Sequence, residues 1–124
     1  FSISSYANHQ THFYPSTKLS DQKQVLKGTA TCLIKITNDS EHNLLISGQF
    51  DDGAPLTPFM LYAYESPQFI SLYYYNICHG IMNIRIDTEK GLKLYDQETY
   101  VNSKIRIKSG WLNPYIVLEK SQKS

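Results

Sequence analysis

The residues that most often carry out catalysis are few in this sequence and widely separated. The four histidines are His9, His12, His42 and His79. A catalytic triad needs a histidine beside a reactive serine or cysteine, with an acid to orient it. The neighbours Cys78 and His79 do not provide this, because successive side chains of a strand point to opposite faces. We therefore predict that the chain is not an enzyme.

A metal or phosphate site is not predicted either. His9 and His12 are isolated, whereas a zinc site needs several ligands at suitable spacing. We interpret Asp51-Asp52-Gly53 as a solvated turn rather than a calcium loop. The glycines are scattered and form no phosphate-binding loop. No cofactor is predicted, and Met60 and His79 are the candidates if a metal does bind.

Tyrosine is the residue type with recognition chemistry that clusters. Five of the ten tyrosines fall within 59–77. Tyrosine offers contact area and a hydroxyl group at a small cost in rotamer entropy, which favours recognition. We predict that Tyr62, Tyr64, Tyr73 and Tyr75, on two adjacent strands, form a surface that binds another protein or a second copy of the chain. The alternative is that tyrosines tolerate half-buried strands, with rings inside and hydroxyl groups in water.

Two further features are secondary binding candidates. Trp111 is the single tryptophan and is a candidate contact or stacking residue. Lys104, Arg106 and Lys108 alternate along one face of a predicted strand. Such charges typically blunt an edge strand and are solvated, and the alternative is that they bind an anionic partner.

The two cysteines leave two interpretations open. Cys32 and Cys78 form one disulfide in an oxidising compartment, or they are two small buried hydrophobic residues. The chain begins at Phe1 without a methionine, which fits removal of a signal peptide and also fits trimming. We predict a secreted or extracytoplasmic location.

Composition indicates one globular domain. The 124 residues include 12 Lys+Arg and 11 Asp+Glu, so the net charge of +1 creates no field for nucleic acid or an anionic membrane. We predict no transmembrane segment, because no apolar run is long enough to cross a bilayer. The chain divides into a polar arm at 1–24, a β-domain at 25–120 and a polar tail at 121–124.

Alternating hydrophobicity places these residues on strands. Cys32, Ile34 and Ile36 share one strand face, and Met82, Ile84 and Ile86 are predicted to point inward. The predicted strands are 28–37, 44–50, 59–65, 69–77, 81–87, 92–95, 99–109 and 115–119. Short strands at this spacing predict an all-β fold, an antiparallel sandwich or barrel of about seven strands, a class that includes immunoglobulin-like sandwiches.

Two positions carry further expectations. Gly48 lies inside a predicted strand, which indicates a bulge or a close approach of backbone. Asn38-Asp39-Ser40 has the form of a glycosylation acceptor, but it is also a good turn, and turns are the commoner outcome.

Several fragments resemble the copper/zinc superoxide dismutase family, a Greek-key barrel. Ala30 to Lys35 is similar to the opening strand of that family. Ile46 to Phe50 is similar to its glycine-containing strand before the copper ligands. Leu56 to Tyr62 falls where the family has a His-x-His copper pair, and Ile116 to Lys120 falls where it has a further copper histidine. The resemblance spans most of residues 28 to 120.

The resemblance implies a superoxide-dismutase-like domain that has lost its metal sites. Met60, Tyr62 and Leu118 stand where the family carries copper histidines, and imidazole nitrogens hold that copper. His79 falls near a family zinc ligand, but one ligand does not make a tetrahedral site. Dismutase activity is therefore not expected.

Three functions from different classes follow. The first is a non-catalytic, superoxide-dismutase-like domain that binds another macromolecule, a protein, through its tyrosine-rich strands. The second is a metal-handling or residual redox protein that uses Met60 and His79, with the arm histidines His9 and His12 as further candidate ligands. The third is a carbohydrate-binding sandwich in which tyrosines and Trp111 are stacking platforms. Metal analysis, retention on polysaccharide and substitution of the tyrosines distinguish them.

Overall fold

The fold is built from two β-sheets that pack face to face. It is seen in a computed structural model that describes residues 32–119. The predicted polar arm at 1–24 and tail at 121–124 lie outside these residues. Within them the structure is all-β, and no helix long and apolar enough to cross a membrane occurs there.

Ten strand segments make up the two sheets and a small hairpin. Their bounds are β1 Leu33–Asp39, β2 Leu44–Phe50, β3 Pro55–Leu61, β4 Gln68–Ser71, β5 Tyr73–Tyr74, β6 Ile77–Cys78, β7 Ile81–Thr88, β8 Lys93–Tyr100, β9 Lys104–Lys108 and β10 Tyr115–Glu119. The predicted bounds of β2 and β10 are confirmed.

The strand order defines a sandwich. One sheet has the order β10-β9-β1-β4, the other has the order β3-β2-β7-β8, and β5 and β6 form the hairpin. All pairs are antiparallel except β1 and β9, which run parallel. The predicted all-β, largely antiparallel fold is confirmed. Among the described strands neither four-stranded sheet closes on itself, so the arrangement is that of a sandwich.

The core lies between the two sheets and is mainly aliphatic. Ile34 and Ile36 of β1 are fully buried, as are Met82, Ile84 and Ile86 of β7. Alternation of side chains along each strand turns these residues to the same interior. Each such burial contributes roughly 1.5–3 kcal/mol of transfer free energy. The inward faces predicted for both strands are confirmed.

Four predicted strands are wrong in extent. The strands predicted at 59–65 and 92–95 are β3 at Pro55–Leu61 and β8 at Lys93–Tyr100, and the backbone breaks inside the other two. The predicted strand 99–109 is interrupted after Tyr100, where Asn102 has a φ of 70°. The predicted strand 69–77 is folded back at Tyr75 and Asn76, with φ values of 55° and 61°. Two consecutive left-handed residues make the two-residue turn of a hairpin. The chain therefore reverses where hydrophobicity alone indicates continuation.

Gly48 shows both features that its position in a strand predicts. The register of β2 with β3 shifts between Ile46 and Gly48. On the other side of β2, a Cβ at Gly48 would lie 2.3 Å from the carbonyl oxygen of Asn83 in β7. No real Cβ tolerates that separation, so the close approach of two central strands requires glycine here.

We expect Gly48→Ala to destabilise the domain by about 1–3 kcal/mol, the usual cost of overpacking. The matched control is Gly80→Ala, because a Cβ at Gly80 would meet no heavy atom within 4 Å. Urea unfolding of both variants measures the difference. Equal midpoints for the two variants would contradict the close approach of β7 to Gly48.

Candidate functional site

Four connections meet at one end of the sandwich, which we call the loop end. They are 40–43, 62–67, 89–92 and 109–114. They meet because β3 and β7 run antiparallel to β2, while β9 runs parallel to β1. The loop end carries three of the predicted binding residues, Tyr62, Tyr64 and Trp111.

A buried amide organises the first two of these connections. Asn38, at the end of β1, is 1% exposed. Its Nδ2 donates to the carbonyl oxygens of His42, Leu61 and Tyr62, at 2.7, 3.0 and 3.1 Å. Its Oδ1 accepts from the backbone nitrogen and the hydroxyl of Ser40, at 3.1 and 2.6 Å. One side chain thus fixes the β1–β2 turn and the start of the β3–β4 loop.

A second asparagine joins the loops to one another. The Oδ1 of Asn43 accepts from the backbone nitrogen of Ala63 at 3.0 Å. Its carbonyl oxygen accepts from the backbone nitrogen of Glu89 at 3.2 Å. The backbone nitrogen of Glu41 donates to the Ser109 hydroxyl at 3.2 Å. All four connections are therefore held together by hydrogen bonds.

Large apolar side chains project from this end. Trp111 is 96% exposed and Leu112 beside it is 79% exposed. Tyr62 and Tyr64 are 55% and 63% exposed, and Leu92 is also exposed. Exposed apolar groups that gather on one part of a surface mark interaction sites. The sequence pattern singled out Tyr62, Tyr64 and Trp111 but not the two leucines.

A shallow groove of about 260 Å³ runs between the connections of the loop end. Its lining includes the apolar residues Leu92, Leu112 and Pro114 and the charged residues Glu41, Glu89 and Lys90. Leu112 belongs both to the groove and to the exposed pair with Trp111. The groove and this exposed pair therefore form one surface, whereas Tyr62 and Tyr64 lie in the connection 62–67, which does not line the groove.

The predicted single tyrosine surface is wrong in its geometry. Tyr62 and Tyr64 follow β3, which pairs with β2, whereas Tyr73 belongs to the separate β5–β6 hairpin. Tyr73 and Tyr75 are exposed, but they lie near the far end of β2. Six residue steps along β2 separate the two ends by roughly 20 Å. The local pattern identified the strand segments, but it contained no information about which strands pair.

The basic residues Lys104, Arg106 and Lys108 lie on the outer face of β9. Arg106 forms an ion pair with Asp39 of β1, at 3.3 Å from Nη1 to Oδ2. Glu119 of β10 is the register partner of Lys104. Two acids thus lie among the cations, while Lys35 of β1, the other register partner of Lys104, adds a further cation. An anionic partner stays a prediction.

The residues that the dismutase resemblance places at the copper site are not brought together. Met60 lies on β3 and Tyr62 just after it, at one lateral edge of the sandwich. Leu118 lies on β10, which comes close to β8 at the opposite edge. His79 lies at the end away from the loop end. Among the described residues no group of three or more His, Cys, Asp and Glu side chains could hold a metal.

A cluster that sequence reasoning missed lies at the end opposite the loop end. The Tyr74 hydroxyl donates to Asp51 Oδ1. His79 Nδ1 lies 3.1 Å from the same carboxylate. The Tyr74 and His79 rings stack, with centroids 3.8 Å apart and planes at 6°. Asp51 is separated from Tyr74 by 23 positions and from His79 by 28, and its local sequence predicts only a turn, so no local signal indicates this contact.

The cluster shifts two pKa values. Burial alone would raise the pKa of the Asp51 carboxyl, but hydrogen bonds from Tyr74 and His79 lower it below its ordinary 3.8. Burial, and then the Asp51 carboxylate, raise the pKa of the Tyr74 hydroxyl well above its usual range. Tyr74 is therefore a neutral donor and Asp51 a charged acceptor at neutral pH. His79 Nε2 is buried and has no hydrogen-bond partner among the described residues.

A disulfide joins the same region to β1. Cys32 and Cys78 are bonded, with Cα atoms 5.8 Å apart and 46 positions of sequence between them. Loop-closure entropy for that separation gives a stabilisation of about 4 kcal/mol. The backbone nitrogen of Leu72 also donates to the Cys32 carbonyl oxygen at 3.0 Å. Of the two interpretations left open by the sequence, the structure has the disulfide, which is consistent with an extracytoplasmic location.

Comparison of the chain with protein-family models, with curated proteins and with solved structures finds no match. The resemblance to copper/zinc superoxide dismutases thus has no support from relatives.

We expect Asp51→Asn to weaken the dependence of stability on acid. A carboxylate whose pKa is lowered on folding contributes stability above its unfolded pKa, and the contribution is lost as pH falls through the folded value. For Asp51 that loss occurs below 3.8. Urea midpoints measured from about pH 2 to about pH 6 should therefore fall less steeply in the variant on the acid side. The variant should also be less stable than the native chain near neutral pH.

The control for this experiment is Glu98→Gln, which removes an exposed carboxylate of β8. It should keep the acid dependence of the native chain. If Asp51→Asn and the native chain lose stability in parallel below pH 3.8, Asp51 does not stabilise the fold through its charge.

Proposed function

We propose that this chain is a non-catalytic binding domain that works outside the cytoplasm and recognises another protein through its loop end. The observation that carries the proposal is the near-complete exposure of Trp111 beside Leu112, at 96% and 79%. Tryptophan and tyrosine dominate the energetics of protein interfaces. The loop end combines both with a groove.

The energy available at this surface fits specific binding. Burying a tryptophan removes roughly 150–250 Å² of its surface from water. At about 25 cal/mol per Å², that burial is worth roughly 4–6 kcal/mol before the costs of association. Tyr62 and Tyr64 add area and two hydroxyl groups. A transfer free energy of this size is typical of a residue at the centre of an interface rather than at its rim.

Order in the loops supports the same proposal. Association is weakened when loops must be ordered on binding. Asn38 and Asn43 hold three of the loop-end connections in the free protein, through contacts of 2.7–3.2 Å to the backbone. The connection that carries Trp111 is joined to them by the hydrogen bond from the Glu41 backbone nitrogen to the Ser109 hydroxyl at 3.2 Å. A surface that is already ordered keeps more of its gross binding energy.

The groove favours a polypeptide as the partner. Its lining places Leu112 and Pro114 beside Glu41, Glu89 and Lys90. Carboxylates, an ammonium group and apolar area together match the mixed chemistry of a protein surface. A carbohydrate partner, stacked on Trp111, is the second candidate, because an exposed indole beside a polar groove also suits a sugar ring.

Metal handling receives no comparable support. Met60 and His79 lie at different ends of the sandwich and cannot share an ion, and the arm histidines His9 and His12 lie outside the described residues. The idea that the domain descends from a dismutase that lost its metals remains part of the proposal, and it rests on the sequence fragments alone.

The test is affinity for a partner isolated with the native protein and then identified. We expect Trp111→Ala to weaken that complex by about thirtyfold or more, the loss typical of a central interface residue. Tyr62→Ala should weaken it less. Calorimetric titration of purified partner and variant gives the dissociation constants.

The matched control is Tyr100→Ala, which removes an exposed aromatic side chain from β8, away from the loop end. It should leave the affinity unchanged. If Tyr73→Ala and Tyr75→Ala abolish binding while Trp111→Ala has no effect, the contact surface is the hairpin end. Retention on immobilised polysaccharide that Trp111→Ala removes would establish the carbohydrate alternative. Stoichiometric copper lost on Met60→Ala or His79→Ala would overturn both.

A further inference from the structure

The two sheets have four edge strands, and three of them carry features that discourage pairing with another strand. β3 contains Pro55 and Pro58, and the register of its partner β2 shifts beside it. β8 carries Lys93, Asp96 and Glu98, and its register with β7 also shifts. β4 has only four residues. Proline, charge, bulges and shortness are the usual means by which proteins protect sheet edges.

The fourth edge, β10, contains no proline and no register shift. Its five residues, Tyr115 to Glu119, pair with β9. The strand contains a single charge, at its end. No other described strand pairs with its outer edge. The backbone groups on that side are therefore available to a fifth strand of suitable sequence.

The two faces of β10 have different roles. Ile116 and Leu118 pack against the hydrophobic core. Tyr115, Val117 and Glu119 alternate with them and lie on the outer face, where Tyr115 and Glu119 are exposed. A strand added beside β10 would find aliphatic neighbours on the inner side and a tyrosine, a valine and a carboxylate on the outer side.

We propose that the occupant of this edge is a second copy of the chain, whose β10 pairs antiparallel with the first, centred on Val117. In that register Tyr115 faces Glu119 of the second copy, and Ile116 faces Leu118 of the second copy. The phenol hydroxyl can donate to the carboxylate, and the aliphatic residues extend the core layer. Cross-strand pairs of these kinds stabilise sheets.

The strand's own sequence selects this arrangement. A parallel pair in register would set Glu119 directly beside Glu119 of the second copy, and like charges directly opposite are destabilising. The antiparallel pair separates the two carboxylates to opposite ends of the joint. The result is one eight-stranded sheet across a two-fold axis, with the same residues contributed by each copy.

This dimer leaves the loop end accessible. Because the two β10 strands run in opposite directions, the two loop ends face away from each other. The proposal is therefore independent of whether the loop end binds a protein, and substitutions at Val117 test it without touching Trp111.

The experiment uses opposite charges at the centre of the joint. Val117→Lys places two ammonium groups face to face, and Val117→Glu places two carboxylates face to face. We expect sedimentation to show the native chain at twice its 14.3 kDa mass and each variant at the monomer mass, with dimer affinity at least about tenfold weaker. An equimolar mixture of the two variants should recover the dimer mass, since lysine then faces glutamate.

The matched controls are Thr57→Lys and Thr57→Glu, which place the same charges at an exposed position of β3. They should leave the dimer unchanged. A native chain that sediments as a monomer at hundreds of micromolar would overturn the proposal, as would a dimer that both Val117 variants retain. Failure of the mixed variants to associate would overturn the Val117-centred register.

A second measurement remains informative if a charged variant fails to fold. Val117→Cys keeps a small apolar side chain and brings two thiols together at the two-fold axis, where directly opposed Cα atoms lie about 4.5–5.5 Å apart. Mild oxidation should link the native-like dimer through this position and leave Thr57→Cys unlinked. Equal linking of both variants would contradict the proposed joint.

Discussion

Every other feature of this domain depends on a single layer of aliphatic side chains between two sheets. Ile36 and Ile46 from facing sheets are fully removed from water. Because side chains alternate, burying one face of a strand fixes the other face outward. The directions of the paired strands then gather four connections at the loop end. Recognition residues on the loops therefore depend on packing that they do not touch.

Much of this fold can be read from local pattern, and the limits are physical. Alternation located the strands and their inward faces, and Gly48 indicated its close approach. Hydrophobic alternation does not predict the backbone breaks at Tyr75 and Asn102, because a residue other than glycine with positive φ is uncommon and has no characteristic hydrophobicity. The local pattern also does not predict which strands pair, since the register between strands that are distant in sequence is set by the packing of the whole core. For this reason the local pattern predicts one surface for Tyr62 and Tyr73, whereas the structure places them at opposite ends of the sandwich.

The two ends of the sandwich are stabilised by different means, and this affects where function can reside. The end near Tyr74 is fixed by a disulfide, a stacked ring pair and the Asp51 carboxylate. At the loop end, asparagine side chains form hydrogen bonds to the backbone of the connections. The exposed aromatic side chains there are not what holds the connections together. His79 illustrates how a residue type with catalytic potential can be used in holding a hairpin in place. Sequence alone could not separate these uses, because Asp51 and His79 meet only in the fold.

Asn38 has a consequence for how the protein is made. Its side-chain nitrogen is the atom to which an oligosaccharide would be joined in the sequence Asn38-Asp39-Ser40. That atom is buried and directed at three carbonyl oxygens. A chain glycosylated before folding could not form this turn, so sugar transfer and folding exclude each other. Removing the acceptor with Ser40→Ala would itself weaken the turn, because the Ser40 hydroxyl donates to Asn38. A production host without N-glycosylation avoids both losses.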